Sequence, residues 1–196
     1  HPDVVPVTQL GEEYLAELFW GPTFSFKDVA LQLIGRLFEH ELRRRSASVT
    51  IVGATSGDTG SAAIEACRDR SGIQLVMLHP RGRVSEVQRL QMTTVDAANI
   101  HNVAIDGTFD DCQDLVKAMF GDHSFRQRMR LAAVNSINWA RVAAQTVYYV
   151  TTAVRMGAPD RSVSFCVPTG NFGNVLAGHI ARRMGVPIHD LTIASN

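Results

Sequence analysis

Four short runs rich in β-branched and apolar residues, Ser48–Gly53, Ile73–Leu78, Ile100–Ile105 and Val163–Val167, recur along the chain, bounded by Gly and Pro. Between them apolar residues fall at helical spacing. The segment from Phe26 places Val29, Ala30, Leu33, Ile34, Leu37 and Leu42 on one face, and further helices are expected over Thr59–Arg70, Ser85–Met92, Asp110–Phe120, Asn138–Met156 and Asn174–Met184. Strand and helix alternate, so the pattern predicts an α/β fold of parallel strands joined by crossover helices. The runs lack a polar alternation and read as strands buried mostly on both faces. Residues from about 47 to 130 form a strand–helix series of their own, flanked by pieces that can pair with each other.

The 196 residues, 45% of them hydrophobic, suffice for a full core. Lysine plus arginine and aspartate plus glutamate both number 19, so the formal charge is zero, which argues against a general polyanion-binding surface such as nucleic acid needs. Any recognition of phosphate has to be local. Cys67, Cys112 and Cys166 lie far apart with no CxxC spacing, which predicts inert, reduced thiols, a cytoplasmic setting and no metal site. The longest weakly polar stretch, Val142–Val154, is interrupted by Gln145 and threonines and is shorter than the roughly 20 residues a bilayer requires, so no membrane association is expected. The sequence starts at His1 with no leader pattern and is expected to begin inside a longer natural chain.

Three loops carry chemistry. Gly21-Pro-Thr-Phe-Ser-Phe-Lys-Asp28 opens the first helix and puts Lys27 in its first turn. There the helix dipole disfavours the ammonium form, which suits a nucleophilic amine; a lone lysine of this kind can also be an ordinary solvated one. Gly53-Ala-Thr-Ser-Gly-Asp-Thr-Gly60 sits directly between a strand and a helix. Its small residues allow close approach of a ligand, and its amides and hydroxyls can hold a carboxylate or phosphate. It matches neither the dinucleotide nor the Walker glycine pattern, nor the GxSxG elbow, and a tight turn without ligand is the alternative. Pro168-Thr-Gly-Asn-Phe-Gly-Asn174 repeats the strand–loop–helix arrangement, with Gly170 and Gly173 framing a reversal whose amides can converge on one phosphate. Two such loops and a helix-start lysine in one chain make a phosphorylated cofactor the economical reading.

These residues, together with Asn135-Ser-Ile-Asn138 and Arg141, resemble the threonine synthases, pyridoxal-phosphate enzymes of fold type II in the tryptophan-synthase-β group. The resemblance runs through almost the whole chain. It implies a three-layer αβα parallel sheet with a small Rossmann-like domain: residues 1–46 and 131–196 in the large cofactor domain and 47–130 in the small one. It further implies that Lys27 carries pyridoxal 5'-phosphate as an internal aldimine and that Gly170, Asn171, Phe172, Gly173 and Asn174 grip the cofactor phosphate. Ser56, Gly57, Asp58 and Thr59 would receive the substrate's carboxylate, with Asp58 also reaching the cofactor, while Asn135, Ser136 and Arg141 would approach the phosphate of O-phospho-L-homoserine. An ionised Asp58 accepts hydrogen bonds but cannot donate one, so either it is protonated or another group serves the cofactor's 3-oxygen.

The implied activity is that of a lyase of threonine biosynthesis, releasing phosphate from Cγ and adding water at Cβ, with Lys27 as anchor and proton shuttle. Alternatives are a phospho-lyase giving 2-oxobutanoate from the same substrate and a noncatalytic ligand-binding regulator on the same scaffold. A nucleotide-dependent oxidoreductase is disfavoured, because no acidic residue ends a second strand at the required distance. The resemblance implies a monomer or homodimer. It places the partner of the pyridine nitrogen beyond Asn196, so the chain is expected to be the central part of a longer enzyme.

Overall fold

The computed structural model describes residues 3–133 and 138–195. In chain order the elements are β1 (Val7–Leu10), β2 (Glu13–Ala16), α1 (Lys27–Arg44), β3 (Val49–Ala54), α2 (Asp58–Cys67), β4 (Ile73–Pro80) and α3 (Glu86–Thr93). There follow β5 (Ile100–Ile105), α4 (Phe109–Gly121), α5 (His123–Met129), β6 (Leu131–Ala132), α6 (Trp139–Arg155), β7 (Val163–Pro168), α7 (Gly173–Arg183) and β8 (Ile188–Ala194). Two compact units result, His1–Ala30 with Ser136–Asn196, and Leu31–Asn135.

The unit from Leu31 holds a four-stranded sheet in the order β5-β4-β3-β6, every pair parallel. Register runs Val49↔Ile73 to Ala54↔Leu78 and Leu75↔Ile100 to Pro80↔Ile105. Its core is the fully apolar inner sequence of β3 and β4: Ile51, Leu75 and Met77 are at most 1% exposed and pack with Ile64 of α2, Met92 of α3 and Leu31 and Ile34 of α1. Each such side chain contributes about 1.5–3 kcal/mol by leaving water. After β5 the chain returns past β3 to add β6 on its other side. That reversal makes the C-terminal end of β3 a switch point, where open parallel sheets receive ligands, and the loop Thr55–Gly57 leaves there.

The other unit combines an antiparallel hairpin, β1 with β2, turning at Gly11 (φ 64°), and a parallel pair, β7 with β8. Helices α6 and α7 pack together where Gly178 meets the ring of Tyr149, which stands edge-on to Phe165 at 5.0 Å. Val142, Tyr148, Tyr149, Val167, Val175, Ala177, Ala181 and Ile188 form the core.

Expected strands and helices over the four runs and six periodic segments are all present within a few residues. Helix α2 stops at Cys67 because Arg68 turns extended (ψ 138°) and Asp69 is left-handed (φ 58°). The hairpin, β6, α5 and β8 have no counterpart in the sequence pattern. Strands β1 and β2 are largely exposed, and His189-Asp190 interrupts the apolar signal of β8. Burial on both faces holds for β3 and much of β4, whereas β7 alternates. Consequently Cys166 is exposed, unlike the buried Cys67 and Cys112. Burial pushes the Cys67 thiol up to about 11, with Arg70 opposing it slightly. Among the described residues no helix is long and apolar enough to cross a membrane, and no metal-binding cluster occurs.

Leu75 is completely buried at the middle of β4. Leu75→Ala is expected to lower the unfolding free energy by about 2–5 kcal/mol, read as an earlier midpoint in urea denaturation; an unchanged midpoint would mean the core has been misidentified.

Candidate active site

Lys27 is the first residue of α1, half-buried, with its backbone N–H 3.3 Å from Ser25 Oγ and its Nζ 5.3 Å from the centre of the Phe26 ring. Two interactions shape this turn. The Asp28 carboxylate, 1% exposed, accepts from Thr23 N (2.9 Å), Thr23 Oγ1 (2.5 Å) and Ser25 N (3.3 Å). A side chain at Gly21 would collide with it, so glycine is required there by close approach. From α6, the buried Tyr148 hydroxyl donates to the Phe26 carbonyl, the peptide immediately before the lysine. Burial and the neighbouring Asp28 charge raise the Tyr148 pKa, so it remains a donor throughout the working range. The chain contains only one other lysine, Lys117, which is exposed and ion-paired to Asp114 at 2.8 Å.

Arg141 lies in the first turn of α6, whose N-cap Asn138 accepts from the Arg141 N–H at 3.3 Å. Its side chain is 2% exposed, yet Nε and Nη1 have no hydrogen-bond partner and it joins no ion pair among the described residues. Burial holds the guanidinium below its usual range, partly offset by Tyr148. A buried charge without a counter-ion costs several kcal/mol and is retained where an anionic ligand completes it. Asn135 and Ser136, expected to share this role, lie outside the described residues.

The loop after β7 begins at Pro168, and Thr169 N–H bonds Ala194 of β8 at 2.9 Å. Pro168, Thr169, Gly170, Ala194 and Ser195 line an open depression of about 530 Å³. The left-handed residue of the reversal is Phe172 (φ 58°), where glycine would be the cheap choice; a non-glycine there carries about 1–2 kcal/mol of strain. Asn171 is exposed, while Gly173 and Asn174 start α7, which has no side-chain cap, so its first-turn amides are open to an anion. Tyr149 from α6 fixes this helix start, its hydroxyl 2.9 Å from Asn174 O and 3.0 Å from Asn174 Oδ1.

In the loop after β3, the buried Thr55 Oγ1 accepts from Gly57 N (3.0 Å) and Gly60 N (2.9 Å) and donates to Gly57 O (3.1 Å). Ser56 and Asp58 are exposed and Thr59 half-buried. Two of the glycines are required by packing: a side chain at Gly60 would collide with Thr55 and Met92, and one at Gly57 with Gln88 of α3. Asp58 Oδ1 accepts from Gln88 Nε2, so at this oxygen it acts as an acceptor. Thr55, Gln88, Tyr148 and Tyr149 escaped the sequence reading. The Ser85-x-x-Gln88 spacing, which matches a helix-capping pattern, is the local signal that could have pointed to Gln88.

The family model described as pyridoxal-phosphate dependent enzyme matches residues 7–192. A threonine synthase of Pseudomonas aeruginosa is 58% identical over all of this chain, and one of Saccharomyces cerevisiae is 49% identical over 93% of it. The solved structure of a PLP-bound threonine synthase from Brucella melitensis, 54% identical, superposes with TM-score 0.94 over 99% of this chain and 42% of its own. Maize serine racemase, 16% identical with TM-score 0.72, covers 96% of this chain and 55% of its own and shares the fold. The chain spans about 42% of the Pseudomonas relative and 38% of the yeast one.

If Arg141 is kept for an anion rather than for folding, Arg141→Met leaves stability unchanged or raises it by about 1–4 kcal/mol while weakening inorganic phosphate binding at least about tenfold. Thermal unfolding and calorimetric titration with phosphate test both halves; a variant that loses stability and keeps phosphate affinity would refute this role.

Proposed function

This chain belongs to the pyridoxal-phosphate-dependent enzyme family, and from that premise we propose that its protein is a threonine synthase, converting O-phospho-L-homoserine and water to L-threonine and phosphate. The observation that carries the reading is the buried Arg141 with two unpartnered guanidinium nitrogens: a substrate bearing a phosphate supplies the charge it lacks. The relatives that align over nearly the whole chain at 49–58% identity and are named threonine synthases support the same substrate.

The residues present suit the cofactor. The uncapped start of α7 offers amides to its phosphate, through Gly170, Asn171, Phe172, Gly173 and Asn174, and Lys27 offers an amine from a turn shaped by Asp28 and Tyr148. When bound, pyridoxal phosphate supplies an electron sink for charge developing on the substrate's carbon chain. Lys27 Nζ is the anchor for the cofactor and then the base that takes the proton from Cα and later returns one. Arg141, with Asn135 and Ser136, holds the phosphate as it leaves from Cγ. Ser56, Gly57, Asp58 and Thr59 receive the substrate carboxylate, with Asp58 also reaching the cofactor. Water adds at Cβ, so the atoms of substrate plus water equal those of threonine plus phosphate. Residues 1–46 and 131–196 are assigned to the cofactor domain and 47–130 to a smaller α/β domain. The enzyme is assigned to the cytoplasm as a monomer or homodimer.

The complete protein, loaded with pyridoxal phosphate and given O-phospho-L-homoserine, is expected to form threonine. Lys27→Ala should abolish the visible absorption band and lower turnover by about 10³-fold or more. Threonine formation persisting in that variant, or 2-oxobutanoate and ammonia as the wild-type products, would overturn the proposal.

A further inference from the structure

Helix α6 carries a row of polar side chains on its buried face. Arg141, Gln145, Tyr148 and Thr152 follow one another at spacings of four, three and four residues, which keeps them on one side of a helix, and all are at most 5% exposed. Polar groups so placed ordinarily have partners. Tyr148 has one in the Phe26 carbonyl. The other three keep buried atoms without any among the described residues: Nε and Nη1 of Arg141, Oε1 of Gln145 and Oγ1 of Thr152. The first two members of the row are complementary, since a guanidinium only donates and the Gln145 oxygen only accepts. They stand one turn apart, the separation at which helical side chains meet. A long helical side chain also leans over the turn that precedes its own Cα, which for Gln145 is the turn of Arg141. A buried arginine is ordinarily paired with a carboxylate, and glutamate would have the same reach at position 145. The chain carries the neutral isostere there, and the buried Asp28 carboxylate is taken up by Thr23 and Ser25.

We propose that Gln145 is a positioning residue for Arg141: its Oε1 accepts from the Arg141 Nε–H when a phosphate engages the guanidinium, which aims the two Nη groups at the phosphate, and its neutrality leaves the positive charge to the ligand. Neither atom has a partner in this structure, so the bond forms on binding and satisfies both buried groups at once. The Nη edge of the fork then meets two phosphate oxygens in parallel, the strongest arrangement open to an arginine. A carboxylate at 145 would instead neutralise Arg141 beforehand and compete with phosphate as an internal anion. An apolar side chain there would leave Nε without an acceptor and the fork without a fixed direction.

The inference rests on reading Arg141 as the phosphate residue, and its test is independent of which reaction follows. The complete protein is loaded with pyridoxal phosphate, so that the cofactor's own phosphate site is filled, and titrated calorimetrically with inorganic phosphate. Gln145→Met, which keeps the length and removes the acceptor, is expected to weaken phosphate about tenfold when Arg141 is present and less than about twofold in the Arg141→Met background. Gln145→Glu keeps an acceptor of the same reach, yet is expected to weaken phosphate at least about tenfold and to raise the thermal unfolding midpoint, because Arg141 then has a counter-ion of its own. Should the methionine variant fail to fold, the glutamate variant decides by those two readouts. Unchanged phosphate affinity in either Gln145 variant, a lowered midpoint in Gln145→Glu, or a loss in Gln145→Met of equal size with and without Arg141 overturns the role of Gln145. Unchanged affinity in Arg141→Met overturns the reading on which it rests, whereas failure to form threonine from O-phospho-L-homoserine overturns only the assigned reaction.

Discussion

A carboxylate taken out of water is tolerable only if several donors replace its hydration, and the one at Asp28 obtains them from the loop that precedes it. Thr23 supplies a backbone and a hydroxyl donor and Ser25 a second backbone donor, while Gly21 must lack a side chain for the loop to close over the carboxyl group. The closed loop leaves Lys27 at the first position of α1, and Tyr148 grips the peptide before it. The lysine's backbone is therefore held from both sides by buried groups. An amine that serves as anchor and base needs that fixity, because a displacement of about 1 Å can cost 10²-fold in rate.

The treatment of charge follows one rule throughout. A formally neutral chain cannot attract anions by its overall field, so anion recognition rests on local devices. The start of α7 is left without a side-chain cap, and among the described residues Arg141 is buried without a counter-ion. Each of these is a local departure from the most stable arrangement, and each favours a bound anion.

Much of the fold was legible because buried parallel strands and amphipathic helices have strong periods: β3, β4 and β5 and six of the helices follow them. The hairpin and α5 were not, since exposed short elements need no apolar pattern. The site loops were legible as small-residue turns between strand and helix, but the physical reason for their glycines was not. Gly57 and Gly60 make room for Gln88 and for Thr55 and Met92, contacts that only the folded chain creates. Tyr148 reaches Phe26 across 122 positions and Gln88 reaches Asp58 across 30, separations at which no local pattern exists. Arg141 could have been a surface arginine on its helix; only its burial and its missing partners distinguish it.

The central claim is that Lys27 is the residue through which this protein holds its cofactor. Reducing the complete protein with borohydride in the presence of pyridoxal phosphate, digesting it and mapping the peptides by mass spectrometry tests this directly. The account predicts a pyridoxyl label on Lys27 in the wild type and none at that position in Lys27→Ala. A label on Lys117, or on a lysine outside these 196 residues, would contradict it.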